Sequence, residues 1–203
     1  MKLLLDTRAH RVEPLAESDP DLVRGQLLTP LTRNKCWSGE FAIDNGAYSS
    51  FNHRGFASLL DRNKQHRDRC LWIAVPDVVG NARRTLEIFE RLGPELMAWP
   101  LALVAQDGLE DLTVPWDHFE CLFIGGTTEW KTSQGVLDLL KTARILSKQT
   151  HVGRVNTPGR FRHFRDFADT CDGSGVSRFD WMLDELRGVD CMPLFDRQGG
   201  DPP

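Results

Sequence analysis

Eight short apolar runs recur along the chain, and almost every one of them ends in polar residues. They are Lys2–Leu5, Gln26–Leu28, Phe41–Ile43, Leu71–Val75, Leu101–Ala105, Cys121–Ile124, His151–Val155 and Phe167–Cys171. Between several of them the apolar spacing becomes helical, over Gly55–Arg62, Asn81–Leu92, Gln134–Ser147 and Arg178–Leu186. Strands that alternate with helices specify a parallel sheet, since parallel neighbours need a crossover between them. Eight such units fit a compact (β/α)8 barrel of the TIM type, with a doubly wound open sheet as the alternative. About 175 residues is few for eight units, so several helices should be short or missing.

The 203 residues, 40% hydrophobic and 27% charged, suit one domain. It is expected over 1–195, with the Pro/Gly-rich stretch 196–203 as a frayed tail. No run approaches the roughly 20 apolar residues of a membrane span, and Met1–Asp6 turns acidic too soon for a signal peptide, so a cytoplasmic protein is expected. The five cysteines, Cys36, Cys70, Cys121, Cys171 and Cys191, are widely spaced and form no CxxC pair. They read as reduced thiols, neither a disulfide framework nor a zinc site. A net charge of −4 argues against nucleic-acid binding over the whole surface, leaving local basic clusters at Arg62–Arg69 and Arg160–Arg165.

The polar strand ends carry the chemistry: FAIDNGAY, WIAVPDVVG, ALVAQDG, LFIGGTTEWK, HVGRVN and ADTCDGSG. In a parallel barrel these ends share one rim, which is where active sites sit. Asp44, Asp77, Gln106, Gly125, Gly126, Arg154, Asn156 and Asp172 should therefore converge on one mouth. Carboxylates accept from N–H groups, amides such as Asn45 both donate and accept, and a Gly-Gly turn admits a ring close to backbone. Tyr48 adds a face for stacking. A planar heterocycle with donors on one edge and acceptors on the other, such as guanine, matches that set.

The order IDNGAY, PDVVGNA, VAQDG, IGGTTEWK, HVGRVNTP and DTCDGSG, spanning residues 26–180, resembles the tRNA-guanine transglycosylase (queuine tRNA-ribosyltransferase) superfamily. The wording is most similar to its small phage-type members, of the kind that insert 7-deazaguanines into DNA. The resemblance implies a guanine transglycosylase working by double displacement without a cofactor, in the host cytoplasm if phage-encoded. Asp44 would be the general acid/base and Asp172 the nucleophile, with Asp169, three residues earlier, as the alternative. Asp77 would accept from the N–H edge of the base, Gln106, Gly125 and Gly126 would meet its other groups, and Tyr48 would stack on it. Lys131 and Arg154, together with the two basic clusters, would meet phosphates.

The same resemblance sets further expectations. Cys191 stands alone where tRNA-acting relatives carry a zinc subdomain, so no metal is expected and DNA is favoured over tRNA as the partner. Free 7-deazaguanine is the expected second substrate, and a homodimer or accessory protein could complete the grip. The alternatives are tRNA-guanine exchange, hydrolysis of a nucleoside or DNA N-glycosidic bond, and base binding without catalysis.

Overall fold

The computed structural model describes residues 1–175 and 180–190. Eight strands close a barrel in chain order: β1 (Lys2–Leu5), β2 (Val23–Leu28), β3 (Phe41–Ile43), β4 (Cys70–Ala74), β5 (Leu101–Ala105), β6 (Cys121–Ile124), β7 (Gln149–Val152) and β8 (Thr170–Cys171). Every neighbouring pair is parallel, and Lys2 and Leu3 of β1 register with Thr170 and Cys171 of β8. That closing pair excludes the open doubly wound sheet, whose first and last strands do not meet.

Alternation along each strand divides the core into two layers. Leu4, Leu27, Ala42, Trp72, Ala74, Ala102, Val104, Cys121 and Phe123 pack together inside the barrel. Their neighbours, among them Leu3, Leu5, Ile43, Leu103 and Ile124, join the larger layer beneath the helices. The bore is narrow enough to be plugged by three rings, with His151 lying 4.7 Å from Trp72 and 4.6 Å from Phe123 between centroids.

The outer ring holds α1 (Ala9–Ser18), α2 (His53–Asn63), α3 (Ala82–Leu96), α4 (Thr128–Lys131), α5 (Gln134–Ile145), α6 (Pro158–Phe164) and α7 (Asp180–Asp190). Side-chain caps start several of them: Asn52 accepts from Gly55 N, Asn81 from Arg84 N and Ser133 from Val136 N. Each such cap is worth about 1 kcal/mol. The short circuit expected from the chain length is visible. Residues 29–40 link β2 to β3 without a helix, and only 3-10 turns at Leu109–Asp111 and Trp116–His118 link β5 to β6.

Three strands differ from the sequence reading by more than one residue, and the first of them, β2, begins three residues early, at Val23. β7 begins two residues early and stops at Val152, because Arg154 adopts φ 59° and turns the chain out of the ladder. β8 keeps only Thr170–Cys171, since the amides of Phe167 and Ala168 are used to close α6 on the Phe164 carbonyl. The expected tail 196–203 and Cys191 lie outside the described residues. No described helix is long and apolar enough to cross a membrane.

Candidate functional site

Continue the inward alternation of each strand by one step and it leaves the apolar bore for the rim. Leu4 leads to Asp6, Leu27 to Thr29, Ala42 to Asp44, Val104 to Gln106, Phe123 to Gly125, His151 to Gly153 and Thr170 to Asp172. All seven rim residues line a single cavity of about 630 Å³ at the carboxyl ends of the strands, floored by Leu27, Val104 and Phe123. The eleven residues expected at the mouth from the sequence all line it too. Asp6 and Thr29 went unremarked in the sequence, although the LLLDT and QLLT run ends carry the signal that marked Asp44.

Asp77 is the most tightly held of the acids. Asn45 donates from Nδ2 to its Oδ1 at 2.8 Å, and Gln106 donates from Nε2 to its Oδ2 at 2.6 Å. Asn45 spends its remaining capacity on the Val75 carbonyl and the Ala47 N–H, and Gln106 Oε1 accepts from Gly80 N and Gly126 N. These two amides, expected to touch a ligand, line the cavity and also build the seat of Asp77. Burial raises the Asp77 pKa, and the two amide bonds partly offset it.

Asp44 accepts from Gly46 N at 3.0 Å. Burial pushes its pKa from 3.8 to about 7, and the nearby charges of Asp172, Asp77 and Asp6 add to the rise. Near neutral pH it holds a proton in part, the condition for a group that both gives and takes one.

Asp172 and Asp169 part company. Positions 170 and 172 face inward, so Asp172 enters the cavity, where its Oδ1 accepts from Arg154 N at 3.1 Å and contacts His151 Nε2 at 3.2 Å. Asp169 faces outward, and its Oδ2 accepts from Thr150 N at 2.8 Å and from Thr150 Oγ1 at 2.9 Å. It ties β8 to β7 and does not line the cavity. His151 Nδ1 lies 2.9 Å from Thr170 Oγ1, so this fully buried imidazole bridges the bore to the site.

The cations lie along one wall, on α4, α6 and the turn after β7. Arg154 extends over the Tyr48 ring at 3.9 Å and donates to the Gly126 carbonyl. One face of Tyr48, the ring expected to stack on a base, is thus covered by a guanidinium, while the residue stays 64% exposed. Lys131 is buried and donates to the Gly153 carbonyl, not reaching out toward phosphates as expected. Burial and the charges of Arg154 and Arg160 bring its pKa down from 10.5 to about 7. Asn156 Oδ1 is buried and has no hydrogen-bond partner among the described residues.

Close packing explains the glycine pair. A Cβ on Gly125 would stand 2.6 Å from Gln106 Nε2, and one on Gly126 would stand 2.3 Å from the Trp130 ring, at a backbone φ of 63°. Trp130 supports this turn from behind and donates from Nε1 to Glu110. The basic cluster Arg62–Arg69 lies elsewhere. It leads into the start of β4, where Arg69 donates to the Trp37 and Gly39 carbonyls and Arg67 covers Trp99. That is the end of the barrel opposite the cavity. Of the second cluster only Arg160 lines the cavity. Among the described residues no three His, Cys, Asp or Glu side chains are placed to hold a metal ion.

No family model and no curated protein matches this chain. Solved structures of similar shape include two barrels. One, from Silicibacter pomeroyi DSS-3, is described as a glycerophosphoryl diester phosphodiesterase, with TM-score 0.45 and 10% identity over 88% of this chain and 56% of that one. The other is the YkuI protein of Bacillus subtilis, with an EAL domain, in complex with c-di-GMP and calcium, with TM-score 0.42 and 14% identity over 88% of this chain and 49% of that one. The chain therefore spans about half the length of each. At that distance neither says what this chain binds.

Proposed function

We propose that this barrel is a guanine transglycosylase, which exchanges guanine in DNA for a free 7-deazaguanine through a covalent bond between Asp172 and the sugar. The observation that carries the reading is the division of labour among its carboxylates. Asp77 is fixed as an acceptor, Asp44 sits near its neutral point, and Asp172 lies in the same cavity held through one oxygen.

In the first displacement an Asp172 oxygen bonds to C1′ as the C1′–N9 bond breaks, and the departing guanine takes a proton from Asp44. In the second, the incoming base returns a proton from N9 to Asp44 as N9 bonds to C1′ and the Asp172 carboxylate leaves. Two inversions restore the original anomer, and the transition states resemble an oxocarbenium ion beside a carboxylate. Asp77 would accept from the N1–H and exocyclic amine, an edge that guanine and 7-deazaguanine share.

Among the described residues the cavity is lined by three cations, of which Lys131 is bonded inward to the Gly153 carbonyl, leaving Arg154 and Arg160 for phosphates, and the cluster Arg62–Arg69 is at the far end. So few phosphate contacts favour a flipped or single-stranded guanine in DNA over the broad surface of a folded tRNA. Incubation with labelled guanine and either DNA or unmodified tRNA tests the assignment. Label entering DNA supports it, label entering tRNA alone makes the protein a tRNA transglycosylase, and no label in either refutes base exchange.

A further inference from the structure

The peptide between Gly153 and Arg154 is gripped from both sides. Its carbonyl accepts from the Lys131 ammonium, and its N–H donates to Asp172 Oδ1 at 3.1 Å. This plane is set by the left-handed backbone of Arg154, φ 59°, a conformation costly for a residue with a Cβ and found where surrounding contacts hold it. On its other flank Oδ1 meets His151 Nε2 at 3.2 Å. An ionised Asp172 puts the imidazole proton on Nε2, leaving Nδ1 to accept from Thr170 Oγ1 at 2.9 Å. Both contacts fall on Oδ1, and no donor among the described residues bonds Oδ2.

Lys131 is 3% exposed and has no carboxylate within ion-pair distance among the described residues. A buried ammonium whose bonded partner is a carbonyl polarises that peptide, which makes its N–H a stronger donor. We infer that Lys131 is a positioning residue for Asp172: acting through the Gly153–Arg154 peptide, it strengthens the N–H that, with His151, fixes Oδ1 and leaves Oδ2 as the reacting oxygen. This rests on the transglycosylase reading for its consequence in catalysis, though not for its geometry. The groups around Lys131 set when its charge is present. Arg154 and Arg160 oppose it, Asp172 and Asp107 favour it, and burial brings its titration to about pH 7.

The test compares wild type with Lys131→Met and Lys131→Arg. Asp44 and Lys131 both titrate near pH 7, so the base-exchange rate of wild type should fall steeply as pH rises through about 7 to 8, whereas Lys131→Arg, always charged, should keep only the shallower decline that comes from Asp44. Lys131→Met should lose up to about 100-fold in kcat with KM for DNA unchanged, as misplacing a reacting group does. A rise in KM with kcat intact, or an alkaline decline as steep in Lys131→Arg as in wild type, overturns the inference and returns Lys131 to phosphate binding. A second readout needs no turnover: nitrogen NMR of the His151 ring, whose titration burial depresses and the Lys131 charge depresses further. The His151 midpoint should rise in Lys131→Met and not in Lys131→Arg, and an unmoved midpoint in Lys131→Met overturns the coupling even if wild type proves inactive in base exchange.

Discussion

Gln106 and Asp77 are joined by a 2.6 Å hydrogen bond from Nε2 to Oδ2, while the same amide accepts the N–H groups of Gly80 and Gly126. One side chain therefore holds the acceptor carboxylate and two turns from different strand ends. Replacing it by leucine of similar reach would leave two N–H groups and a carboxylate oxygen without partners, each costing roughly 1–3 kcal/mol if water does not reach it. Gln106→Leu should lower stability to urea by roughly 2–5 kcal/mol and abolish guanine binding measured by calorimetry. Tight guanine binding in the folded variant would show that Asp77 needs no such seat.

Asp44 gives the protein a pH-dependent stability of predictable sign. Its folded pKa of about 7 exceeds the ordinary 3.8, so between those values the native state holds the extra proton. The stability this lends is present below about pH 4 and is lost as pH rises through about 7. Asp44→Asn removes the ionised burden, so the variant should exceed wild type by roughly 1–3 kcal/mol at pH 8 and differ little at pH 4. Thermal melts at the two pH values measure this, and an equal difference at both would refute it.

The two late aspartates should separate cleanly. Asp172→Asn should abolish base exchange and any protein–DNA adduct that survives denaturation, because an amide is a poor nucleophile at C1′. Asp169→Asn should keep the adduct and lose roughly 1–2 kcal/mol of stability through its Thr150 bonds. Adduct formation by Asp172→Asn, read on a denaturing gel, would reject the assignment of the nucleophile.

Arg154 combines a left-handed backbone with a guanidinium laid across Tyr48. Glycine accepts that backbone without strain, so Arg154→Gly should fold with stability within about 1 kcal/mol of wild type. Its DNA affinity should fall, and the slope of log affinity against log salt should shrink by about 1. An unchanged slope would mean that the guanidinium closes the mouth on Tyr48 without meeting a phosphate.

The barrel was legible because most strands carry their own record: a short, nearly unbroken apolar run that ends in a polar residue. The same record located Asp44, Asp77 and Asp172, and it extends to Asp6 and Thr29 once inward positions are counted from the bore. Helix α1 was hidden by Pro14 in its middle and by burying Val12 alone, which leaves little amphipathic signal. Hydrogen-bond partners were not legible, since spacing says which residues reach the rim and nothing of which meet there. Asn45 and Gln106 therefore read only as ligand contacts, with nothing in their spacing to show that they also seat Asp77. His151 meets Thr170 and Asp172 only through a strand pairing between residues 19 to 21 positions apart.

The most direct test of guanine exchange is mass spectrometry of nucleosides from DNA incubated with the purified protein and 7-cyano-7-deazaguanine. Base exchange predicts the deazaguanine deoxynucleoside in the digested DNA, with one guanine released for each base incorporated and neither product formed by Asp172→Asn. Guanine released without incorporation, leaving abasic sites, would contradict exchange and identify a hydrolase.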